Sequence, residues 1–246
     1  MFNIFRDKIG GFPYLRYCKM KKLLFTLTLC IAALLSNAQQ LNPLYDLQKV
    51  HFGFSIIGNS AKTKFTTTQK FLDRDTMKVI EGLKFPGFGV GGVVNVRLAE
   101  YFDFRTMVNI QFVERHLDYH FSGGDIEKVK ISSTYMEIPV QIKYKSKRHK
   151  NTRFYLVAGS TYRYDFASDI GTERSDTRPI VALYPNTLSY DLGAGFDFYF
   201  EFFKFSPEFR ISNGIGNSLV KDPYIFASSL ERISPKLIQF ILHFEG

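Results

Sequence analysis

Between Leu188 and Glu201 the chain alternates apolar with polar or small side chains at almost every position. Successive side chains of a strand point to opposite faces, so this pattern predicts a strand with one oily face and one charged face. Segment Phe203–Ser212 repeats the pattern after a tight turn. The same period runs through most of the chain after Gln39, with almost no amphipathic helical spacing. The fold class is therefore all-β.

Six further segments alternate in the same way, which makes eight predicted strands with the two above. They are Val50–Gly58, Phe88–Leu98, Tyr101–Glu114, Ile131–Lys145, Arg153–Phe166 and Lys236–Phe244. The links between strands alternate between long (Asn59–Gly87, Arg115–Lys130, Ala167–Thr187, Asn213–Pro235) and short (Ala99–Glu100, Ser146–Thr152, Phe202). An even strand number with long loops at one end and short turns at the other is typical of outer-membrane barrels. We expect an eight-stranded antiparallel transmembrane up-and-down β-barrel with periplasmic termini.

The alternation alone also fits a soluble barrel with an apolar interior. Strand length and composition favour the membrane, because each strand reaches the 9 to 11 residues that cross a bilayer and the oily face is rich in Phe and Tyr. Charges of both signs occupy the other face, where they can pair inside a narrow lumen but would be costly in lipid. The predicted lumen network consists of Arg97, Asp103, Arg105, Glu137, Lys143, Arg163, Asp165, Asp191, Asp197, Glu208 and Arg210.

The first 38 residues have the pattern of an export signal. From Met20 the chain has two lysines, an apolar run from Leu23 to Leu35 and small residues before a predicted cleavage after Ala38. We therefore assign 20–38 to a signal peptide, 39–246 to the barrel, and 1–19 to an extension from a mis-assigned start. Both cysteines and six basic residues lie before residue 39, so the barrel has no disulfide and the net charge of +9 is a weak argument for nucleic-acid binding.

Two motifs have ordinary structural interpretations. Gly87–Gly92 matches the dinucleotide-binding glycine pattern, but a strand follows it where that site needs a helix, so its glycines are predicted to relieve crowding inside the barrel. His116 and His120 flank Asp118, an incomplete ligand set that favours a solvated loop over a metal site. His120 with Ser122 also admits a lipid-hydrolysing site. We expect no cofactor, metal or small-molecule substrate.

The densest basic cluster lies around one short turn and consists of Lys145, Lys147, Arg148, Lys150 and Arg153. A solvated turn is one interpretation. The other is a contact with lipid phosphates or with an acidic periplasmic partner.

Three stretches resemble the PorT family of outer-membrane barrels from Bacteroidota, which belong to the type IX secretion and gliding machinery. They are Asp46–Asn59 (DLQKVHFGFSIIGN), Glu137–Arg148 (EIPVQIKYKSKR) and Tyr190–Asn217 (YDLGAGFDFYFEFFKFSPEFRISNGIGN). The resemblance implies a non-enzymatic accessory or assembly component of protein secretion, with outer-membrane lipid and other secretion proteins as partners. A general structural or adhesive barrel and a lipid-modifying barrel enzyme are the alternatives.

Overall fold

Eight antiparallel strands form one sheet that closes on itself, in the order β1 to β8 with β8 paired to β1. The computed structural model describes residues 41–68, 77–121, 125–168, 181–221 and 223–246. The strands are β1 Val50–Thr67, β2 Met77–Arg97, β3 Phe102–Phe121, β4 Ile126–Lys145, β5 Thr152–Asp165, β6 Asn186–Tyr199, β7 Lys204–Ile215 and β8 Leu230–Glu245. A 3-10 helix, Tyr45–Leu47, precedes β1, and a four-residue helix α1, Ile225–Ser228, precedes β8. The predicted signal peptide (20–38), the upstream extension (1–19) and Ser122 lie outside the described residues.

Closure of the ring depends on the long pairing of β1 with β8, which runs from Gly53 opposite Glu245 to Thr67 opposite Leu230. Each strand therefore has a neighbour on both sides, which satisfies backbone groups that lipid cannot hydrogen-bond. Connections 98–101, 146–151 and 200–203 lie together with the start of β1 and the end of β8 at what we call the short-turn end. The opposite end, where the other four connections lie, is the long-loop end.

A belt of apolar side chains surrounds the barrel next to the short-turn end. On β3 it runs from Phe102 to Phe112 at every second position except Thr106, a span that matches the strand length that crosses a bilayer. Aromatic pairs such as Phe102 with Tyr144 and Phe154 with Phe196 form a girdle at its short-turn rim. Exposed members of the belt include Phe52, Phe54, Ile56, Val90, Val108, Ile110, Ile142, Leu156, Leu192, Phe209 and Phe240. Among the described residues, no helix is long and apolar enough to span a membrane.

Beyond this belt, β8 and β1 to β4 continue toward the long-loop end with the opposite polarity. Their outward side chains become polar, as at Lys62, Lys64 and Lys130, while their inward side chains become apolar, as at Leu117 and Val129. The inward group packs into a core with residues of the long loops and α1. This core contains Ile80, Leu117, Tyr119, Val129, Ile131, Val181, Leu183, Leu219, Ala227, Leu230 and Ile233. The long-loop end is thus built like a water-soluble barrel.

This reversal of polarity explains where the sequence prediction was wrong. Segments 59–67, 77–87 and 115–121 were predicted as loop, but they are strand in β1, β2 and β3. The predicted loops 115–130 and 213–235 also include the first part of β4 and of β8. The prediction followed strands only while the oily face stayed outward, so it ended each of them at the edge of the apolar belt.

The glycines of β2 show which face of that strand is crowded. A Cβ atom at inward Gly91 would lie 2.6 Å from the carbonyl oxygen of Val108 and 2.8 Å from the Cα atom of Asn109, both on β3. At the next residue, outward Gly92, the nearest atom would be 4.0 Å away. Only the inward glycine is therefore needed for the close approach of β2 to β3.

We predict that Gly91→Val prevents stable folding, because the side chain would overlap backbone that cannot move without breaking the ladder. Gly92→Val is the matched control, since its side chain would only add apolar surface to the belt. The measurement is the fraction of protein that keeps the faster electrophoretic mobility of the folded barrel without heating. Equal folded fractions for the two variants would contradict the assignment.

Candidate functional site

The lumen near the short-turn end is filled by buried charges that pair across the barrel. Arg105 of β3 donates to Glu208 of β7 at 2.9 Å and to Glu245 of β8 at 3.1 Å. Lys204 bonds the other oxygen of Glu245 at 2.9 Å, and Arg210 also binds Glu208. All these side chains are at most 3% exposed. Such charges are stable only when paired.

A second buried pair packs against the first. Lys143 of β4 contacts both carboxylate oxygens of Asp197 on β6 at 2.8 Å and lies over the Tyr155 ring, 3.7 Å from its centroid. The Tyr155 hydroxyl donates to Glu208 at 3.0 Å, which joins the two groups of charges into one network. Strands β3 to β8 all contribute to it, because inward positions of every strand meet in so narrow a lumen.

The middle of the lumen has another network around Glu137, with more uncharged side chains than the network near the short-turn end. This carboxylate accepts hydrogen bonds from Arg163 and Gln111. Arg163 in turn donates to the hydroxyls of Ser189 and Ser212, the latter at 2.6 Å, and Ser212 donates to Asp191 at 2.5 Å. The inward side chains thus bridge β3 to β7 at this level as well.

Eight of the eleven predicted lumen residues lie in these networks, and three lie elsewhere. Asp103 is buried and accepts hydrogen bonds from Lys145 and Asn95. Arg97 is half-buried at the short-turn mouth, where it donates to the backbone oxygen of Asp46. Asp165 accepts from the backbone amides of Thr134 and Ala167 and so caps the long-loop end of β5. The predicted lumen set left out Lys204, His243 and Glu245, and Lys145 was assigned to the basic cluster instead, although all four lie at the inward parity of their strands.

Residues 41–48, which we call the N-terminal plug, fold across the short-turn mouth. The Tyr45 side chain is 4% exposed, stacks on His51 with ring centroids 3.8 Å apart, and donates to Glu245 at 3.4 Å. Asp46 bonds Arg148 at 3.4 Å and Arg153 at 3.1 Å. The plug therefore joins the lumen network to the turn between β4 and β5 and closes this end. No periodic pattern marks it in the sequence.

The electrostatics of Asp46 favour the attached plug. Its partial burial would by itself raise the carboxyl pKa, but the Arg153 and Arg148 guanidinium groups and the Tyr199 hydroxyl outweigh that effect. The pKa of Asp46 therefore lies below its ordinary value of 3.8. The carboxylate stays ionised, and its ion pairs intact, at any neutral or mildly acidic pH.

The basic cluster predicted as a contact surface divides into two groups. Lys145 is buried and bonds Asp103, while Arg148 and Arg153 turn toward the plug, with Arg148 stacked over the Tyr199 ring at 3.6 Å. Lys147 and Lys150 remain exposed. The cluster departs from the prediction because carboxylates of β3 and the plug, distant in sequence, lie within reach of three of its five members.

The other predicted motif, around His116, contains strand residues. His116 bonds Glu114 at 2.6 Å and stacks on Phe85, with centroids 3.9 Å apart, while Asp118 is buried opposite Glu81. Within the described ranges, no group of three His, Cys, Asp or Glu side chains could hold a metal ion. The pair His116 and His120 thus lacks a third ligand in this part of the chain.

A serine, a histidine and a carboxylate also meet inside the lumen. Ser55 Oγ and His243 Nδ1 lie 2.7 Å apart across the β1–β8 pair, and His243 Nε2 lies 3.4 Å from Glu208. This is the order of groups in a hydrolase triad. The three side chains are at most 1% exposed, and Arg105 and Arg210 both donate hydrogen bonds to the Glu208 carboxylate. The arrangement is part of the packed lumen and offers a substrate no access.

A closed sheet of eight antiparallel strands with an apolar outer belt and a polar lumen defines a membrane β-barrel. A family model described as outer membrane protein beta-barrel domain matches residues 37–220. The chain therefore belongs to the outer membrane protein beta-barrel domain family, and it is an integral outer-membrane protein. No curated protein sequence matches it.

Several solved barrels have a similar fold at low sequence identity. OprG from Pseudomonas aeruginosa is 12% identical, covering 80% of this chain and 91% of its own, with a TM-score of 0.45. Neisserial surface protein A is 12% identical over 77% and 95% of the two chains, with a TM-score of 0.38. Ail of Yersinia pestis, solved with the heparin analogue sucrose octasulfate, is 12% identical over 81% and 100%, with a TM-score of 0.37.

We predict that Lys143→Met lowers the free energy of unfolding by about 3–5 kcal/mol, because it leaves the buried Asp197 carboxylate without its closest counter-charge. The double variant Lys143→Met/Asp197→Asn should recover much of that loss. The measurement is urea-induced unfolding in detergent micelles. Lys130→Met, which breaks the exposed 2.8 Å pair with Glu114, is the control and should cost at most about 1 kcal/mol. Equal effects at the two sites would refute a buried network.

We also predict that the plug detaches in acid. The pKa of Asp46 is lowered in the folded protein. The stabilisation of the attached plug by the Asp46 ion pairs is therefore complete above the ordinary carboxyl pKa of 3.8, and it is lost as pH falls through the lowered pKa. Asp46→Asn should remove this stabilisation of the plug at every pH. The measurement is amide hydrogen exchange at Leu47 and Gln48, corrected for intrinsic rates, with Asp125→Asn as the control. Unchanged protection in Asp46→Asn would show that Asp46 does not hold the plug.

Proposed function

We propose that this outer-membrane barrel is a non-enzymatic accessory or assembly component of a type IX protein secretion apparatus. The support from sequence is the resemblance of three stretches to the PorT family. Each of these stretches contributes to the interior described above: the first supplies Asp46, the second Glu137 and Lys143, and the third Asp197 and Glu208. The resemblance therefore involves residues that determine how the barrel is filled and closed.

The observation that carries the proposal is the filled and plugged lumen. Arg105, Arg163 and Arg210 are at most 1% exposed, so the largest charged side chains lie where a channel would need water. The N-terminal plug covers one mouth and the apolar core fills the other end. A barrel filled in this way is suited to act by docking through its ends rather than by conducting cargo.

We infer that the short-turn end faces the periplasm, as in other bacterial barrels of this topology. Next to the plug, this end has a cleft of about 330 Å³ whose lining includes Glu100, Tyr101 and the exposed Lys147. A periplasmic secretion protein could dock there against the plug and the exposed basic residues. The cleft gives the proposed partner contact a defined surface on the barrel.

A structural or adhesive barrel is the second candidate, favoured by the construction of the long-loop end. Five neighbouring strands extend beyond the apolar belt there and enclose their own core, which makes a rigid platform outside the membrane. Under the inferred orientation this platform faces the cell exterior. A barrel that only anchors or adheres would need such a platform but not a periplasmic docking surface.

We predict that deletion of the gene abolishes export of proteins that carry the type IX C-terminal signal, because the assembled apparatus would lack a component. The measurement is the amount of such proteins at the cell surface and in the medium, with plasmid-borne wild-type protein to restore export. The abundance of an unrelated outer-membrane barrel serves as the control for general envelope damage. Normal export in the deletion strain would contradict the secretion role and leave a structural or adhesive role as the candidate function.

Complementation with Lys147→Glu/Lys150→Glu tests the docking surface. Both side chains are exposed, so folding should be normal while export falls. Lys128→Glu/Lys130→Glu, at exposed positions of the long-loop end, is the matched control and should restore export fully. Export by the first variant at the wild-type level would exclude this cleft as the docking site. A purified protein that deacylates lipid would instead favour a lipid-modifying enzyme.

A further inference from the structure

Four exposed basic residues form a patch on the outer wall, directly above the apolar belt at the long-loop side. Lys62 and Lys64 lie on β1, and Arg232 and Lys236 lie on β8. We call these four the basic patch. On β8 the change is abrupt, because Phe240 and Ile238 belong to the apolar face and Lys236 is the next residue on it. The patch therefore lies at the level where lipid tails give way to headgroups.

The register places like charges face to face in this patch. Lys62 is directly opposite Lys236, and Lys64 is diagonal to Lys236 on the same face. Like charges directly opposite on one face of an antiparallel pair destabilise it. Within the part of the chain that the structure describes, no carboxylate lies within ion-pair distance of any of the four. The fold thus carries a repulsive pair that no described acidic residue neutralises.

The patch also lines a groove. Strand β7 ends at Ile215 while β8 continues, and this step in the wall leaves a groove of about 430 Å³. Lys64, Arg232 and Lys236 line it, and none of its described lining residues carries a carboxylate. Tyr190 of β6 and Ile215, the last residue of β7, form its apolar side. A cationic wall beside an aromatic and aliphatic side matches a lipid at the bilayer interface, with its anionic headgroup above its acyl chains.

The rim of the groove is held by side chains of β8. Arg232 Nε donates to the backbone oxygen of Gly216 at 3.1 Å, and Ser234 Oγ donates to the same oxygen at 2.7 Å. These bonds fix the Arg232 guanidinium, and among the described residues none accepts from its two terminal nitrogens, which can therefore bind an anion in the groove. A guanidinium oriented in this way can bind two phosphate oxygens at once.

The geometry points to a binding site for the phosphorylated headgroup of an outer-leaflet glycolipid of the lipid A class. The phosphate would lie between Lys62, Lys64 and Lys236 with Arg232 at the rim, and acyl chains would pass Tyr190 down to the belt. The ligand removes the repulsion between Lys62 and Lys236 that the free protein bears. Only the assignment to the outer leaflet rests on the proposed orientation.

Nanodiscs present lipid on both faces, so they test the site independently of orientation and of secretion. The full chain would be placed in phosphatidylcholine discs alone, with bisphosphorylated lipid A, or with the same lipid A after removal of its phosphates. A fourth sample has phosphatidylcholine discs and inorganic phosphate in the buffer. The two measurements are the lipid A retained through detergent extraction and the midpoint of thermal unfolding.

Wild-type protein should retain phosphorylated lipid A, and Lys62→Gln/Lys236→Gln should bind it about 30-fold more weakly, from about 1 kcal/mol for each basic residue. Lys128→Gln/Lys130→Gln, at exposed positions of β4 outside the groove, is the matched control and should bind like wild type. The effect of Lys62→Gln/Lys236→Gln on the midpoint of thermal unfolding should change sign with the lipid. In phosphatidylcholine the patch variant melts higher than wild type because the repulsion is gone, and with lipid A it melts lower.

The phosphatidylcholine sample also shows that the variant folds, since a misfolded barrel would melt lower in every lipid. Equal retention of dephosphorylated lipid A would overturn the phosphate site. If inorganic phosphate stabilised the wild-type protein as much as lipid A does, the ligand of the site would be a simple anion and not a lipid. A patch variant that melts lower in both lipids would mean that the four residues support the fold and not a ligand.

Discussion

Ring closure between β1 and β8 is the constraint on which the other features depend. Lipid cannot hydrogen-bond an open sheet edge, so the eight strands must form a closed ring. A ring of eight is just wide enough for side chains to fill it. Inward polar residues therefore cannot be hydrated individually and must bond one another, as Lys143 does with Asp197 and Arg105 with Glu208 and Glu245. The charge network follows from the number of strands.

The fold class, the strand number and the inward face could be predicted because each depends on the local period of two. The long-loop ends of β1 to β4 and of β8 could not, because side-chain polarity reverses where the wall leaves the apolar belt. A strand that turns polar outward after Ile56 on β1 or Phe112 on β3 has the composition of a loop, although its period is unchanged. Following the period through the reversal would have extended these strands.

The candidate site also has parts that could be predicted from the sequence and parts that could not. Inward parity was enough to find Arg105, Glu208 and most of the network. The N-terminal plug and the inward turn of Arg148 and Arg153 depend on contacts between residues about a hundred positions apart, which no local pattern encodes. The like charges at Lys62 and Lys236 belong to this class too, since only the β1–β8 register brings them opposite each other.

The position of Glu245 has a consequence for biogenesis. This residue, the last of β8, supplies the shared counter-charge of Arg105 and Lys204 and the acceptor for Tyr45. Until the final strand is seated, these cations lie in the lumen without that partner, and Tyr45 lacks its acceptor. Completion of the ring therefore supplies the last counter-charge of its interior. A barrel joined out of register would carry unpaired buried charge, so the network disfavours that arrangement.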